Sequence, residues 1–235
     1  AGKLLAWLIG TSPLYASSLN VEIPEDIISK YFSFIERRAN REPLQYILGE
    51  AEFMGLNIKV EPCVLIPRFD SECLVESCLD LLEKNDTVLD LCTGSGAIAI
   101  AIKKHRPDAT VYASDISQEA LSIAEKNAKL NDVDICFIKS DMFDDIPILF
   151  DIIVCNPPYI PENDMLNLQP EVKREPVLAL SAGKDGMDIY RRLFPESRNK
   201  LKPGSFLICE MGDGQKEAIT DIAKDSGYTF ISERK

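Results

Sequence analysis

Four consecutive residues, Asn156-Pro157-Pro158-Tyr159, have the types and the spacing to hold a planar amide or amine. They follow the apolar run from Phe150 to Cys155, so they come just after a predicted buried strand. Proline has no N–H, which leaves the carbonyls of this segment free to accept hydrogen bonds from a ligand. The Asn156 side-chain oxygen and the Pro157 carbonyl would receive an NH2 group, and Tyr159 would pack against its plane. Taken alone, a Pro-rich segment after a strand is better interpreted as a turn.

A glycine-containing loop follows another predicted strand, Val88 to Leu91, and leads directly into a helix that begins at Ala97. Glycines allow a ligand to approach the backbone closely, and a helix N-terminus favours a negative group such as a carboxylate. The candidate cofactor-binding residues here are Cys92, Thr93, Gly94, Ser95 and Gly96.

Two acidic residues end the next two predicted strands and complete the pattern of a nucleoside site. Asp115 is placed to accept both hydroxyls of a ribose. Asp141 is placed to meet an adenine amino group, with Met142 and Phe143 able to pack against the ring. A dinucleotide fingerprint would need a third glycine where the chain has Ala99, and a nicotinamide would need a hydride partner. The pattern therefore favours S-adenosylmethionine over NAD.

Strands and helices alternate from Thr87 onward, which predicts a mainly parallel sheet with helices on both faces. Before that point the periodicity predicts two helices, an extended pair of segments and a third, amphipathic helix after Ser71. Ser117 is predicted to cap the helix that follows it. The run from Tyr228 to Ser232 is predicted to be a further strand. The chain lacks an initiator Met and stops just after this run, which is typical of a sequence trimmed at both ends.

The composition is typical of an intracellular enzyme. The chain has 235 residues, a hydrophobic content of 46% and a net charge of -12, which disfavours nonspecific wrapping of nucleic acid. The seven Cys include no C-x-x-C pair, which indicates reduced thiols in the cytoplasm. No metal-ligand pattern, signal peptide or membrane-spanning apolar run is found, so we expect no metal and no membrane partner.

Together with the blocks that flank them, these motifs resemble the HemK/PrmC family of release factor glutamine methyltransferases. The resemblance covers nearly the whole chain and is specific, because nucleic-acid amino methyltransferases share the Asn-Pro-Pro-Tyr segment but not the N-terminal blocks. The blocks are Arg41 to Ile47, Gly49 to Phe53, Leu65 to Glu72, Glu175-Pro176 and Ala182 to Gly186.

The resemblance implies an α/β fold, a Rossmann-like class I methyltransferase with a mainly parallel seven-stranded sheet. It further implies a helical N-terminal domain (1–48) that binds the release factor, a β-hairpin linker (49–66) and a catalytic domain (67–235). The implied activity is transfer of a methyl group from S-adenosylmethionine to N5 of the Gln in the Gly-Gly-Gln loop of peptide chain release factors. The catalytic residues would then be Asn156, Pro157 and Tyr159, with Pro158, Phe53 and Arg68 also contacting the substrate.

Two positions depart from the family pattern. Cys92 stands where the family usually has Gly, so the first turn of the glycine-containing loop must accommodate a Cβ atom. Phe69 stands where the family has Pro, which loosens the backbone and adds an aromatic surface, whereas Ser71 for Thr keeps the hydroxyl. For Phe53, packing in the hairpin core is as good an interpretation as a wall of the substrate pocket.

Two other functions remain open. The Asn-Pro-Pro-Tyr segment, called the clamp below, could instead hold an exocyclic amine of DNA or RNA, with Arg37, Arg38, Arg41 and Lys30 contacting phosphates. These cations alternate with Glu36 and Glu42, so a salt-bridged helix face is favoured and no direct nucleic-acid partner is expected. The chain could also be a catalytically silent cofactor-binding module that acts as a protein partner.

Overall fold

The computed structural model describes residues 1–12, 14 and 22–234. Within those residues, no helix has both the length and the apolar character needed to cross a bilayer. The part of the predicted N-terminal domain at 13 and 15–21 lies outside the described residues. The helices are α1 (Gly2–Leu8), α2 (Glu25–Ala39), α3 (Leu44–Leu48), α4 (Glu72–Leu81), α5 (Ala97–His105), α6 (Gln118–Leu130), α7 (Asp188–Ser197) and α8 (Lys216–Asp225). The strands are β1 (Glu50–Phe53), β2 (Leu56–Lys59), β3 (Thr87–Leu91), β4 (Thr110–Asp115), β5 (Cys136–Lys139), β6 (Phe150–Cys155) and β7 (Leu201–Cys209).

Five of the strands form one parallel sheet in the order β5-β4-β3-β6-β7. Successive residues of a strand point to opposite faces, so the central strands contribute to two cores. Val88 packs on one side with residues of α4, α5 and α6, whereas Leu89 packs on the other with α7 and α8. Both faces are covered, which is why β3 has apolar residues pointing to each of them, Val88 to one and Leu89 and Leu91 to the other. The predicted doubly covered sheet is confirmed.

The N-terminal segment is joined to the sheet through a two-stranded hairpin. Strands β1 and β2 pair antiparallel around the turn at Met54 and Gly55. The Trp7 indole N–H donates to Glu50 Oε1 at 2.5 Å, and the Trp7 and Phe34 rings lie 6.1 Å apart. Helix α1 therefore contacts both α2 and the hairpin.

The prediction of seven strands in the sheet is wrong for the described residues, which place five strands in it. Residues Tyr228 to Ser232 form no strand. Instead the Tyr228 hydroxyl lies 2.7 Å from the Ser197 hydroxyl, and its ring packs edge-on against Phe194. These contacts bind the segment to α7 rather than to the edge of β7.

The predicted helix cap is confirmed, since Ser117 Oγ accepts the N–H of Ala120.

Candidate active site

The loop between β3 and α5 has an unusual backbone. Cys92, Gly94 and Gly96 have φ values of 63°, 54° and 82°, all in the left-handed region that favours glycine. At Gly96 a Cβ atom would lie 2.9 Å from the Cβ of Ala124 on α6, so glycine is needed for packing as well. Cys92 adopts this left-handed conformation although it is not a glycine. Glycine adopts it more easily, which explains why the family pattern has Gly at this position. Its thiol contacts the buried thiol of Cys155, whose pKa is raised well above its ordinary value by burial and by this contact.

Asp115, at the end of β4, holds this loop. Its Oδ2 accepts the N–H of Gly94 at 2.9 Å, and its Oδ1 accepts the N–H of Ser117 at 2.9 Å. Burial raises the pKa of Asp115, and these backbone hydrogen bonds oppose the rise. Each carboxylate oxygen has a second lone pair, so both can also accept a ligand hydroxyl. The structure thus brings two predicted features, the glycine-containing loop and Asp115, into direct contact.

Asp90 is a completely buried carboxyl group near the end of β3, just before the same loop. Its Oδ2 accepts hydrogen bonds from Thr93 Oγ1 at 2.6 Å and from the N–H of Ala99 at 3.1 Å. Its Oδ1 has no partner among the residues that the structure describes. Burial raises the pKa of Asp90 to about 7, although both hydrogen bonds lower it. An unpartnered buried carboxylate oxygen is well suited to a cationic amino group of a ligand.

Asp141, the other acidic residue predicted at a strand end, is in a different environment from Asp115. The exposed Asp141 carboxylate pairs with Arg192, with 2.7 Å between Oδ1 and Nη1. Met142 has φ 48° and is buried in the core between the sheet and α7. Asp141 and Met142 follow β5, which neighbours β4 in the sheet, so they lie at the same sheet edge as Asp115.

The Asn156 side chain is the centre of a hydrogen-bond network at the carboxyl end of β6. Its Nδ2 donates to Ser71 Oγ at 2.9 Å, and Ser71 Oγ donates to Glu210 Oε2 at 2.5 Å. The Tyr159 hydroxyl donates to Glu210 Oε1 at 3.3 Å. Burial raises the pKa of Glu210, while its hydrogen bonds with Ser71 and Tyr159 and the nearby Asn156 amide lower it. With Nδ2 committed to Ser71, Asn156 has its amide oxygen left for a ligand.

A cavity of about 80 Å³ lies beside this network. Asn156, Pro157 and Tyr159, all predicted catalytic residues, line it together with Arg68. The other lining residues are Leu65, Ile160, Val172, Ala179, Leu180 and Glu210. A narrow cavity with acceptor groups and an aromatic ring along one wall can take a small planar side chain.

Arg68 is held at the cavity by an ion pair with Glu175, at 2.5 Å between Nη2 and Oε1. The Glu175 side chain is only 2% exposed, and its Oε2 also accepts the N–H of Ile66 at 3.0 Å. These contacts fasten the segment after the hairpin to the loop that follows β6. Glu175 belongs to a block quoted for the resemblance, but the sequence indicated no role for it.

Phe53 lies elsewhere. Its side chain is 1% exposed and belongs to the core that the hairpin shares with α4, α5 and α6, and it is not among the cavity-lining residues. Packing in the hairpin core is therefore the interpretation that the structure favours.

Sequence reasoning also missed Ser71 and Glu210 as site residues. Glu210 directly follows β7, and an acid at a strand end was the signal that could have identified it.

The arginines considered for nucleic-acid binding are paired with carboxylates. Arg37 pairs with Glu42 at 2.5 Å, as the charge pattern predicted. Arg38 and Arg41 both pair with Glu171, each at 2.7 Å, across a sequence distance that no local pattern could reveal. A phosphate would have to displace these partners.

Two family models match the chain, and its curated relatives agree with them. Residues 1–49 match the PrmC N-terminal domain, and residues 69–173 match the methyltransferase small domain. A release factor glutamine methyltransferase from Clostridium acetobutylicum is 41% identical over 91% of this chain and 78% of its own length. One from Moorella thermoacetica is 40% identical over 97% of this chain and 82% of its own. The chain belongs to the release factor glutamine methyltransferase family.

A solved structure supports the fold. A methyltransferase from Pyrococcus furiosus is 19% identical, with a TM-score of 0.57 over 86% of this chain and 89% of that one. The cofactor is S-adenosylmethionine, and the site has the groups to fit it. The unpartnered Asp90 Oδ1 suits an ammonium group, and Asp115 suits ribose hydroxyls. The left-handed backbone of the loop lets a ligand approach closely.

Proposed function

We propose that this chain methylates N5 of the glutamine side chain in the Gly-Gly-Gln motif of peptide chain release factors. Family membership supports the reaction, and one observation in the structure carries the substrate class. Asn156, Pro157 and Tyr159 line a narrow cavity, and the Asn156 amide is anchored through its nitrogen. That arrangement presents two oxygen acceptors and a ring to a planar NH2 group, which is what a glutamine amide offers.

A glutamine nitrogen is a weak nucleophile because its lone pair is delocalised into the carbonyl group. Bound S-adenosylmethionine supplies an electrophilic methyl group on a sulfonium. The protein's part is to stabilise the positive charge that develops on nitrogen, which the Asn156 side-chain oxygen and the Pro157 carbonyl do by accepting its two N–H groups. Tyr159 packs on the amide plane and keeps the lone pair aligned.

The cofactor-binding residues of this proposal are grouped along the carboxyl edge of the sheet. Asp90, Asp115 and Asp141 are its acidic members, and the loop from Cys92 to Gly96 supplies the backbone. Asp141 and Met142 would border the adenine ring. Arg68, which lines the same cavity as Asn156, would anchor a peptide carbonyl of the incoming loop.

We also propose a division of labour along the chain. Residues 1–48 would form the part that recognises the body of the release factor, 49–66 the hairpin linker and 67–235 the catalytic domain. The match of 1–49 to the PrmC N-terminal domain and the contacts of α1 with β1 support this division. The carboxylate-paired arginines support a protein substrate over a nucleic acid.

Mass spectrometry of a purified release factor after incubation with this protein and S-adenosylmethionine tests the proposal. We expect a mass increase of one methyl group, located on the Gln of Gly-Gly-Gln by fragmentation. Matched reactions contain a release factor with that Gln replaced, a glutamine-containing peptide and an oligonucleotide. Methyl transfer to the oligonucleotide and none to Gln would overturn the proposed function.

A further inference from the structure

The carboxylate of Glu210 is connected to the Asn156 amide through a single hydroxyl group. Ser71 lies on the 3-10 turn Phe69–Ser71, and it is 85 positions from Asn156 and 139 from Glu210 in the chain. Three separate elements therefore meet at this point: the turn, the end of β6 and the end of β7. Ser71 is 3% exposed, so water does not compete for its hydroxyl.

The donors and acceptors of this network have only one consistent direction. A carboxylate can only accept, so the Ser71 hydroxyl must donate its single proton to Glu210. The Ser71 oxygen can then only accept, and its neighbour must present the NH2 end of the Asn156 amide. The Asn156 oxygen is consequently the atom that remains for the cavity. The rotated amide would present N–H groups to the substrate's N–H groups, which cannot bond to each other.

We propose that Glu210, acting through Ser71, is a positioning group that orients the Asn156 amide with its oxygen toward the substrate. This inference rests on the proposed function, because it concerns the same clamp. Neither Glu210 nor Ser71 needs to touch the reacting atoms. The Tyr159 hydroxyl donates to the same carboxylate in a longer hydrogen bond of 3.3 Å.

Protonation of Glu210 would remove the constraint on which end of the Asn156 amide faces Ser71, because a carboxylic acid can itself donate to Ser71. Burial raises the pKa of Glu210, and the negative charge of Asp70 raises it further. The groups that face Glu210 are Ser71, Asn156, Tyr159, Asp70, Tyr190 and Cys209. Since the folded-state pKa is raised, the orienting carboxylate is lost as the pH falls through that value, and kcat should fall with it.

Ser71→Thr and Ser71→Val are the matched pair of variants, because they differ only in a hydroxyl against a methyl group. We expect Ser71→Thr to keep kcat within about threefold of wild type and Ser71→Val to lower it by about 10- to 100-fold, since a misaligned group costs about that much. Cofactor affinity should be equal in the two. In Glu210→Gln, the acid limb of the kcat–pH profile that belongs to Glu210 should disappear. Equal kcat for the Thr and Val variants would overturn the proposal.

A second measurement reads the orientation without any methyl transfer. The side-chain NH2 of Asn156 is observed by nitrogen-15 NMR, with Asn156→Asp used for its assignment. We expect slowed hydrogen exchange of this group in wild type and Ser71→Thr, and fast exchange in Ser71→Val. Fast exchange in wild type would overturn the positioning role even if the release factor is methylated. Slow exchange with no methylation would instead count against the proposed function alone.

Discussion

The carboxylate of Asp115 accepts the backbone N–H of Gly94 at 2.9 Å, which joins the end of β4 to the loop after β3. Asp115→Ala should weaken S-adenosylmethionine binding by about 1.5–3 kcal/mol, the range for hydrogen bonds to a charged group. Asp115→Asn keeps one acceptor oxygen and should lose less. Isothermal titration calorimetry gives both values. An unchanged affinity in Asp115→Ala would show that the carboxylate does not hold the ribose.

Cys92→Gly should be tolerated and should bind the cofactor as tightly as wild type or more tightly. The residue has φ 63°, a conformation that costs a non-glycine residue about 1 kcal/mol or more and glycine very little. The higher chain entropy of glycine offsets part of this gain, so the free energy of unfolding should change by less than about 1 kcal/mol. Cys92→Ala is the control that removes the thiol and keeps Cβ. Loss of binding in both would reveal a role for the thiol.

Asn156→Ala should lower kcat by about 10²–10³, because one preorganised polar partner of the transition state is lost. Cofactor affinity should fall much less, since the charge that Asn156 meets develops only during transfer. Asn156→Asp keeps an acceptor but adds a charge near the sulfonium, which stabilises the ground state and slows transfer. Single-turnover methylation of a release factor, with binding measured separately, tests this. Methylation by Asn156→Ala at the wild-type rate would refute the role.

Tyr159→Phe should have a mild effect, because it keeps the ring that packs on the substrate amide and loses only a 3.3 Å hydrogen bond to Glu210. Tyr159→Ala should cost substantially more, since the amide plane then has no wall. The same single-turnover assay compares the two. Equal losses in both variants would indicate that the hydroxyl, not the ring, is what catalysis needs.

Asp90→Asn should stabilise the cofactor-free protein, and increasingly so at higher pH. Burial raises the pKa of Asp90 to about 7 from an ordinary value of 3.8. Because its pKa is raised in the folded state, the Asp90 carboxyl stabilises the folded protein below pH 4. This contribution is lost as the pH rises through about 7. The difference in free energy of unfolding between variant and wild type should therefore grow between these pH values and level off above them. Urea denaturation across this range measures it, and a pH-independent difference would contradict the buried-carboxyl assignment.

The sequence by itself determined the local elements and the order of the motifs. The run Val88 to Leu91 is apolar at almost every position and became a central strand, and Ser117 capped its helix as expected. These features depend on residues a few positions apart, whose periodicity and side-chain chemistry act on the backbone directly. The left-handed φ at Cys92 likewise agrees with the glycine that the family pattern has there.

Only the tertiary structure decided which groups complete the site. The partners of Asn156 are Ser71 and Glu210, far away in the chain, and no local pattern records which strand ends meet. Phe53 packs in the hydrophobic core that the hairpin shares with α4, α5 and α6, and it does not line the cavity. The segment after Tyr228 is bound to α7 by side-chain contacts and not to β7 by backbone pairing. Such outcomes depend on competition between distant surfaces, which a sequence expresses only once the chain has folded.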